Sequence, residues 1–218
     1  MDALGRLGKL RQTLTDVRAL LNGDRLPDPA PGARALRLGV VPDTPVPIAL
    51  AALSSGSIRL AGELADAWSP FLWARSRLEE GRALLAEAES ATPTHISVGV
   101  PVALGPDEAS ARKQAAWWLS TYCTRMGPLY PRMLGERFGM AAGVDAVVES
   151  PDDLPAAAEE LAREVLLMGT YDQAGELIQE WLDAGADSVH LVLPPERPAE
   201  ELAEIVRTSA APAASSAG

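Results

Sequence analysis

Apolar runs of strand length alternate with helical patterns along this chain, and that alternation limits the fold more than any other feature of the sequence. Residues 46–52 form a short continuous apolar run, as in a strand buried on both faces. Asp66-Ala67-Trp68-Ser69-Pro70-Phe71-Leu72 reads as a second strand, weakened by Pro70. Residues 96–104 have the β-branched content of a third, and residues 188–193 make a fourth. A helix precedes them over 3–22, with Leu4, Leu7, Leu10, Leu14, Val17, Leu20 and Leu21 at three- and four-residue steps. Further helices are predicted after Ser54-Ser55-Gly56-Ser57, over 75–89, from an Asp107 N-cap to about Cys123, over 128–138, 171–183 and 199–207. The order is one helix and then four strand–helix units, which predicts an α/β protein with a parallel sheet.

Prolines crowd the connection over 24–45, residues 143–155 read as loop, and Met168-Gly169-Thr170 reads as a turn. Residues 208–218 have the composition of a disordered tail, so a single domain is expected over 1–207.

Composition narrows the function classes. The formal net charge of -11 argues against duplex nucleic acid or an anionic membrane as partner, since both need a basic footprint. No run approaches the ~18 apolar residues of a membrane span, and the amphipathic N-terminus lacks a signal-peptide core. A cytoplasmic location is therefore expected. Cys123 is the single cysteine, which excludes an internal disulfide and a cysteine-based zinc site. The acidic side chains show no metal-ligand spacing, so no metal is expected. Basic charge rests on arginine, with Lys9 and Lys113 the lysines, a pattern of GC-rich bacterial genomes.

Several residues carry possible chemistry. The stretch Ala51-Ala52-Leu53-Ser54-Ser55-Gly56-Ser57 joins a strand end to a helix N-terminus. Free amides and hydroxyls there suit an anion, and the same serines suit plain helix capping. His95 and His190 are the two histidines and the candidates for a general base, although a strand-end or packed role is the commoner one for such residues. Trp117 and Trp118 are adjacent and cannot share one helix stripe, so one is expected in the core and the other at a pocket or interface. Arg112 and Arg125 suit an anionic substrate or a solvated helix face.

Four segments in order resemble one family. Met168-Gly169-Thr170-Tyr171-Asp172-Gln173-Ala174, leading through Trp181-Leu182-Asp183-Ala184-Gly185-Ala186-Asp187 into residues 189–193, is similar to the C-terminal signature of the bacterial luciferase-like flavin- or F420-dependent oxidoreductases. Residues 45–52 followed by Arg59-Leu60-Ala61-Gly62-Glu63-Leu64-Ala65-Asp66-Ala67-Trp68 look like that family's fifth strand and the helix after it. Gly105-Pro106-Asp107-Glu108-Ala109 looks like the turn after its seventh strand, with Tyr122 and Tyr130 where the family often has tyrosines. Residues 10–26 resemble the helix before the fifth strand.

The resemblance spans about residues 10–207 and begins near the family's fourth helix; its first four strands have no counterpart. A complete (β/α)8 barrel typically needs ~250 residues, with ~200 near the floor. The fold implied is α/β, a truncated TIM-barrel-like domain of four βα units with parallel strands. Open edges are a liability, so completion by association is expected, as a homo-oligomer or with a larger partner subunit. The function implied is that of an oxidoreductase or monooxygenase acting on a small organic substrate in bacterial secondary metabolism. The cofactor implied is F420 or FMN, with its phosphate at Ala51, Ala52, Ser54, Ser55, Gly56 and Ser57. The missing half carries most of the family's catalytic side chains. Two alternatives therefore stay open, a cofactor-independent cyclase or isomerase on the same scaffold and a non-catalytic binding subunit.

Overall fold

The structure is a computed structural model that describes residues 3–27, 34–88, 90, 92–195 and 197–210. Two compact units divide the chain, one of Met1–Ser69 with Gly81–Ile96 and one of Pro70–Glu80 with Ser97–Gly218.

In the first unit, α1 (Ala3–Leu21) buries Leu14. It approaches α2 (Ser55–Leu64) closely at Gly56, where an added Cβ would stand 2.8 Å from the Leu7 side chain. The strand expected over 46–52 contracts to β1 (Ala49–Leu50). Pro47 has no N–H to give a ladder, and Ile48 gives its N–H to the Asp66 carboxylate at 2.7 Å. The second expected strand contracts to β2 (Ala67–Trp68), just ahead of Pro70. Both pairings are parallel: Ala49 and Leu50 face Ala67 and Trp68, which in turn face His95 and Ile96 at the start of β3 (His95–Gly105). Trp68 and Ile96 are fully buried with Ile58 and Ala61 of α2. The chain from Gly81 onward, the later part of α3 (Leu78–Ala86), closes over this core. Gly62 lies against the Leu85 carbonyl and Gly81 against the Trp68 ring, so neither position has room for a methyl group. Residues 28–33 of the expected connection, and Glu89 at the end of the expected helix, lie outside the described residues.

The second unit is built on β3 from Ser97 onward. Residues 97–101 pair in parallel with β5 (Ser188–Val192), from Ser97 opposite Ser188 to Pro101 opposite Val192. Residues 102–105 pair in parallel with β4 (Leu167–Thr170), from Val102 opposite Leu167 to Gly105 opposite Thr170. Val98, Val100, Val102 and Leu104 are fully buried. The strand β4 corrects the sequence reading, which takes Met168-Gly169-Thr170 as a turn and counts four strands. Four residues ending in Gly-Thr carry little strand signal alone, and the pairing partner that makes them a strand is distant in sequence.

Asp107 caps α4 (Glu108–Ser120), accepting the Ser110 N–H at 2.8 Å. Trp118 is buried and its indole donates to the Val102 carbonyl at 3.0 Å, whereas Trp117 is 40% exposed. The helix widens into a π-helical turn over Thr121–Arg125. Gly127, at φ 78°, then reverses the chain into α5 (Leu129–Arg132), which widens again over Met133–Arg137. The loop expected over 143–155 is instead mostly α6 (Ala141–Glu149), with Val144 and Val147 buried one turn apart. Pro151 suggests loop from sequence, and the helix ends at Glu149, because Ser150 directly precedes the proline and is biased away from helical angles. After α6 come α7 (Glu159–Val165), β4, α8 (Ala174–Asp183), β5 and α9 (Ala199–Ser209). The tail expected from 208 therefore starts inside a helix, and residues 211–218 lie outside the described residues. No helix among the described residues is long and apolar enough to cross a membrane.

Candidate functional site

The strand-to-helix turn of the first unit divides its donors between two uses. Ser54 is the N-cap of α2; its Oγ accepts the Ser57 N–H at 3.3 Å, while Ser57 Oγ accepts the Ser54 N–H at 3.2 Å. Those two hydroxyls are spent on a capping box. Ala52 is buried, and its carbonyl accepts the indole N–H of Trp68 at 2.8 Å. Ala51 is exposed. Gly56 makes its close approach to Leu7 of α1. What remains for a ligand is the amide of Ser55, the amide of Gly56 and the Ser55 hydroxyl, at the positive end of a helix of 10 residues. Two amides and a hydroxyl at a helix start fit a phosphate group.

The second unit holds a polar cluster on the strand face that alternation leaves out of the valine core. Ser97, only 6% exposed, has its Oγ 2.6 Å from His190 Nε2, and Ser188 Oγ donates to Ser97 Oγ at 3.1 Å. His190 itself is exposed. A serine hydroxyl on imidazole nitrogen is an arrangement able to take up or pass on a proton. His95, the other histidine, opens β3 in the first unit, is exposed, and gives its backbone N–H to the Asp66 carbonyl at 3.0 Å. The sequence reading does not single out Ser97. Its signal is the two-residue period of β3, which sets Ser97 and Gly99 on the face opposite Val98 and Val100.

Beside this cluster lie aromatic rings from three segments. Phe71 stands 5.1 Å from Tyr122 and 6.3 Å from Tyr130, ring centre to ring centre, and the two tyrosines stand 5.0 Å apart. Trp118 stacks on Tyr122 at 6.0 Å. Burial pushes both phenols above the usual tyrosine range, and for Tyr130 the neighbouring Tyr122 adds to it. Both tyrosines therefore stay protonated and available as donors near neutral pH.

The arginines named from sequence separate. Arg112 is engaged, donating to Glu159 and to the Leu154 carbonyl at 2.6 Å each, and Arg125 is exposed. Cys123 is buried, and burial pushes its thiol up to about 11. A groove of about 770 Å3 lies along Tyr171, Asp172, Glu176, Gln179 and Glu204, where carboxylates outnumber the one cation, Arg207, already paired with Glu204. Among the described residues no group of three or more His, Cys, Asp or Glu is placed to hold a metal.

The described strands pair in parallel throughout, an α/β architecture. The family model of luciferase-like monooxygenases matches residues 2–188, and the chain belongs to that family. Solved structures with the same fold include the coenzyme F420-dependent tetrahydromethanopterin reductase from Methanopyrus kandleri, with 19% identity and a TM-score of 0.54, matched over 76% of this chain and 50% of that one. An F420-dependent secondary alcohol dehydrogenase, solved in complex with an F420–acetone adduct, has 14% identity and a TM-score of 0.56, over 95% of this chain and 62% of its own. The EDTA monooxygenase EmoA from Chelativorans sp. BNC1 has 20% identity and a TM-score of 0.57, over 95% of this chain and 61% of its own. The chain thus spans from 50% to 62% of the length of these relatives, and the likeness is one of fold. No curated protein is matched.

Proposed function

We propose that this chain is an F420- or FMN-dependent oxidoreductase of the luciferase-like family, acting on a small organic substrate in bacterial secondary metabolism. The observation that carries the reading is the turn into α2: within a family-matched segment, the Ser55 and Gly56 amides and the Ser55 hydroxyl are left over after capping. Those three groups would hold the phosphate of the cofactor, while Ser54 and Ser57 keep the helix start rigid. The bound group would supply two-electron redox chemistry. The chain works in the cytoplasm and in association with a second copy or a larger subunit. Support for association comes from β5, none of whose five residues is fully buried, although strands of parallel sheets are normally covered on both faces.

The test is a titration of the full chain with FMN and with F420, followed by quenching of tryptophan fluorescence. Saturable binding that weakens in Ser55→Pro, which removes one amide donor, is the expected result. Absence of binding by either cofactor sinks the reading for this chain. Light scattering after size exclusion tests the association; a monomer at micromolar concentration refutes it.

A cofactor-independent proton-transfer enzyme is the second reading, and the Ser97–His190 pair favours it. Turnover of a substrate by protein freed of FMN and F420, lost in His190→Ala, would select this reading over the first.

A further inference from the structure

We propose that Phe71, Gly99 and His190 form a binding slot for a flat aromatic ligand that carries a hydrogen-bond acceptor, such as a phenolate or carbonyl oxygen. The slot stands on the second unit alone and holds whether or not the chain binds a redox cofactor.

Phe71 bridges Gly99 in parallel register, and Gly99 is the register partner of His190 on β5. The three residues therefore make one row across three neighbouring backbones, with side chains on the same face. Neighbouring strands lie ~4.8 Å apart, so the outer two backbones are separated by ~9.6 Å. A ring in contact on both its faces needs roughly 7 Å between walls. The middle residue of the row has no side chain, and the space over it is flanked by Phe71 on one side and by Val192, two residues beyond His190 on β5, on the other. A carbon placed where Gly99 would carry Cβ meets Phe71 Cδ2 at 3.4 Å and Val192 Cγ2 at 3.8 Å. With the Pro70 carbonyl at 3.5 Å these are ordinary contact distances, so one ring carbon fits there without displacing Phe71 or Val192. The row is reachable from solvent: Phe71 and Gly99 are half-buried and His190 is exposed.

The polar end of the slot follows from the hydroxyl chain. Ser188 donates to Ser97, so the hydrogen of Ser97 itself goes to His190 Nε2 at 2.6 Å. A buried hydroxyl without an acceptor would otherwise be left unsatisfied. With Nε2 accepting, the neutral imidazole carries its proton on Nδ1, which makes no bond to any described residue and is the ring's donor to a ligand. The backbone next to Phe71 adds a separate indication. Leu72 is buried and held at φ 52°, a left-handed conformation that leucine rarely adopts. Strain of this kind collects at ligand clamps.

The experiment uses the full chain and 4-nitrophenolate as probe, read by its absorbance and by the imidazole C–H signals of the two histidines. Expected are saturable binding with Kd at or below about 1 mM and movement of the His190 signals while those of His95 stay. Gly99→Ala is expected to keep the wild-type melting curve, since its methyl makes only ordinary contacts, and to weaken binding by about tenfold or more. His190→Ala, on an exposed side chain, gives a second variant with the same expected loss. Absence of saturable binding, undiminished affinity in both variants, or movement of His95 in place of His190 would each overturn the proposal. FMN and F420 titrations report on the turn at Ser55 and Gly56, so either site can fail without the other.

Discussion

The indole N–H of Trp68 donates to the carbonyl of Ala52 at 2.8 Å. This one bond ties the residue that ends the central strand of the first unit to the turn that opens α2, and both residues are buried. Replacing Trp68 by Phe keeps most of the apolar surface and leaves a buried carbonyl without its donor. The expected loss is about 1–3 kcal/mol of stability, read from urea denaturation. Gly81→Ala should be worse, because a methyl group there overlaps the fully buried ring of Trp68 and cannot be relieved by moving a flexible chain end. A variant that melts like the wild type would show that the ring is not packed against Gly81.

The capping serines separate stability from ligand binding. Ser54→Ala removes the acceptor for the Ser57 amide and should destabilise the chain by about 1 kcal/mol. Ser55→Ala removes a hydroxyl outside the capping box. It should leave the urea midpoint within experimental error and weaken FMN or F420 binding. Equal melting losses in the two variants would contradict this division of roles.

Asp66 predicts an acid-sensitive first unit. Burial is the largest single influence on its carboxyl and opposes ionisation, but the Ile48 amide and the Arg18 guanidinium, at 2.7 and 2.6 Å, together outweigh it and hold the pKa below the usual carboxylate value. A depressed pKa contributes stability that is present above the unfolded-state value of about 4 and is lost as pH falls through the folded one. The measurement is urea stability from pH 6 downward in wild type and Asp66→Asn. The difference between them should shrink as pH falls below about 4, and a constant difference would refute the assignment.

Cys123 predicts the opposite end of the pH scale. Its thiol is pushed up to about 11 by burial from the ordinary value of 9.0. A raised pKa favours folding below the unfolded-state value, and that contribution declines as pH rises from there through the folded value. Native protein at pH 8 should therefore resist a thiol-disulfide reagent that modifies the urea-unfolded chain quickly. Rapid reaction of the native protein would place the thiol at the surface.

The Arg137 side chain joins two kinds of contact in the second unit. Its guanidinium lies 4.5 Å from the centre of the Trp73 ring and donates to Glu80 at 2.6 Å. Arg137→Met, which keeps the apolar stem, should reduce stability by about 1–2 kcal/mol, with part of the loss disappearing in high salt. A loss independent of salt would assign the whole effect to the ring contact.

The helical and strand content of this protein was largely legible in its sequence, because periodicity is a local property. The three- and four-residue steps of Leu7, Leu10 and Leu14 and the valines of β3 follow from which faces must be apolar, and the structure has α1 and β3 in those places. The Asp107 cap is legible for the same reason, since its partner Ser110 is three residues away. Family membership also came through, since its motifs are short segments in order. Tertiary structure alone decided the rest. Strand β4 exists because residues 102–105 of β3 are there to pair with it. Strand β1 is short because Ile48 sends its amide to the Asp66 carboxylate, 18 residues on, and Pro47 has none to give. Ser97 meets His190 across 93 residues of chain. No local pattern encodes such a pairing, since it depends on which strands become neighbours and in what register, and a shift of one residue would turn either side chain to the other face.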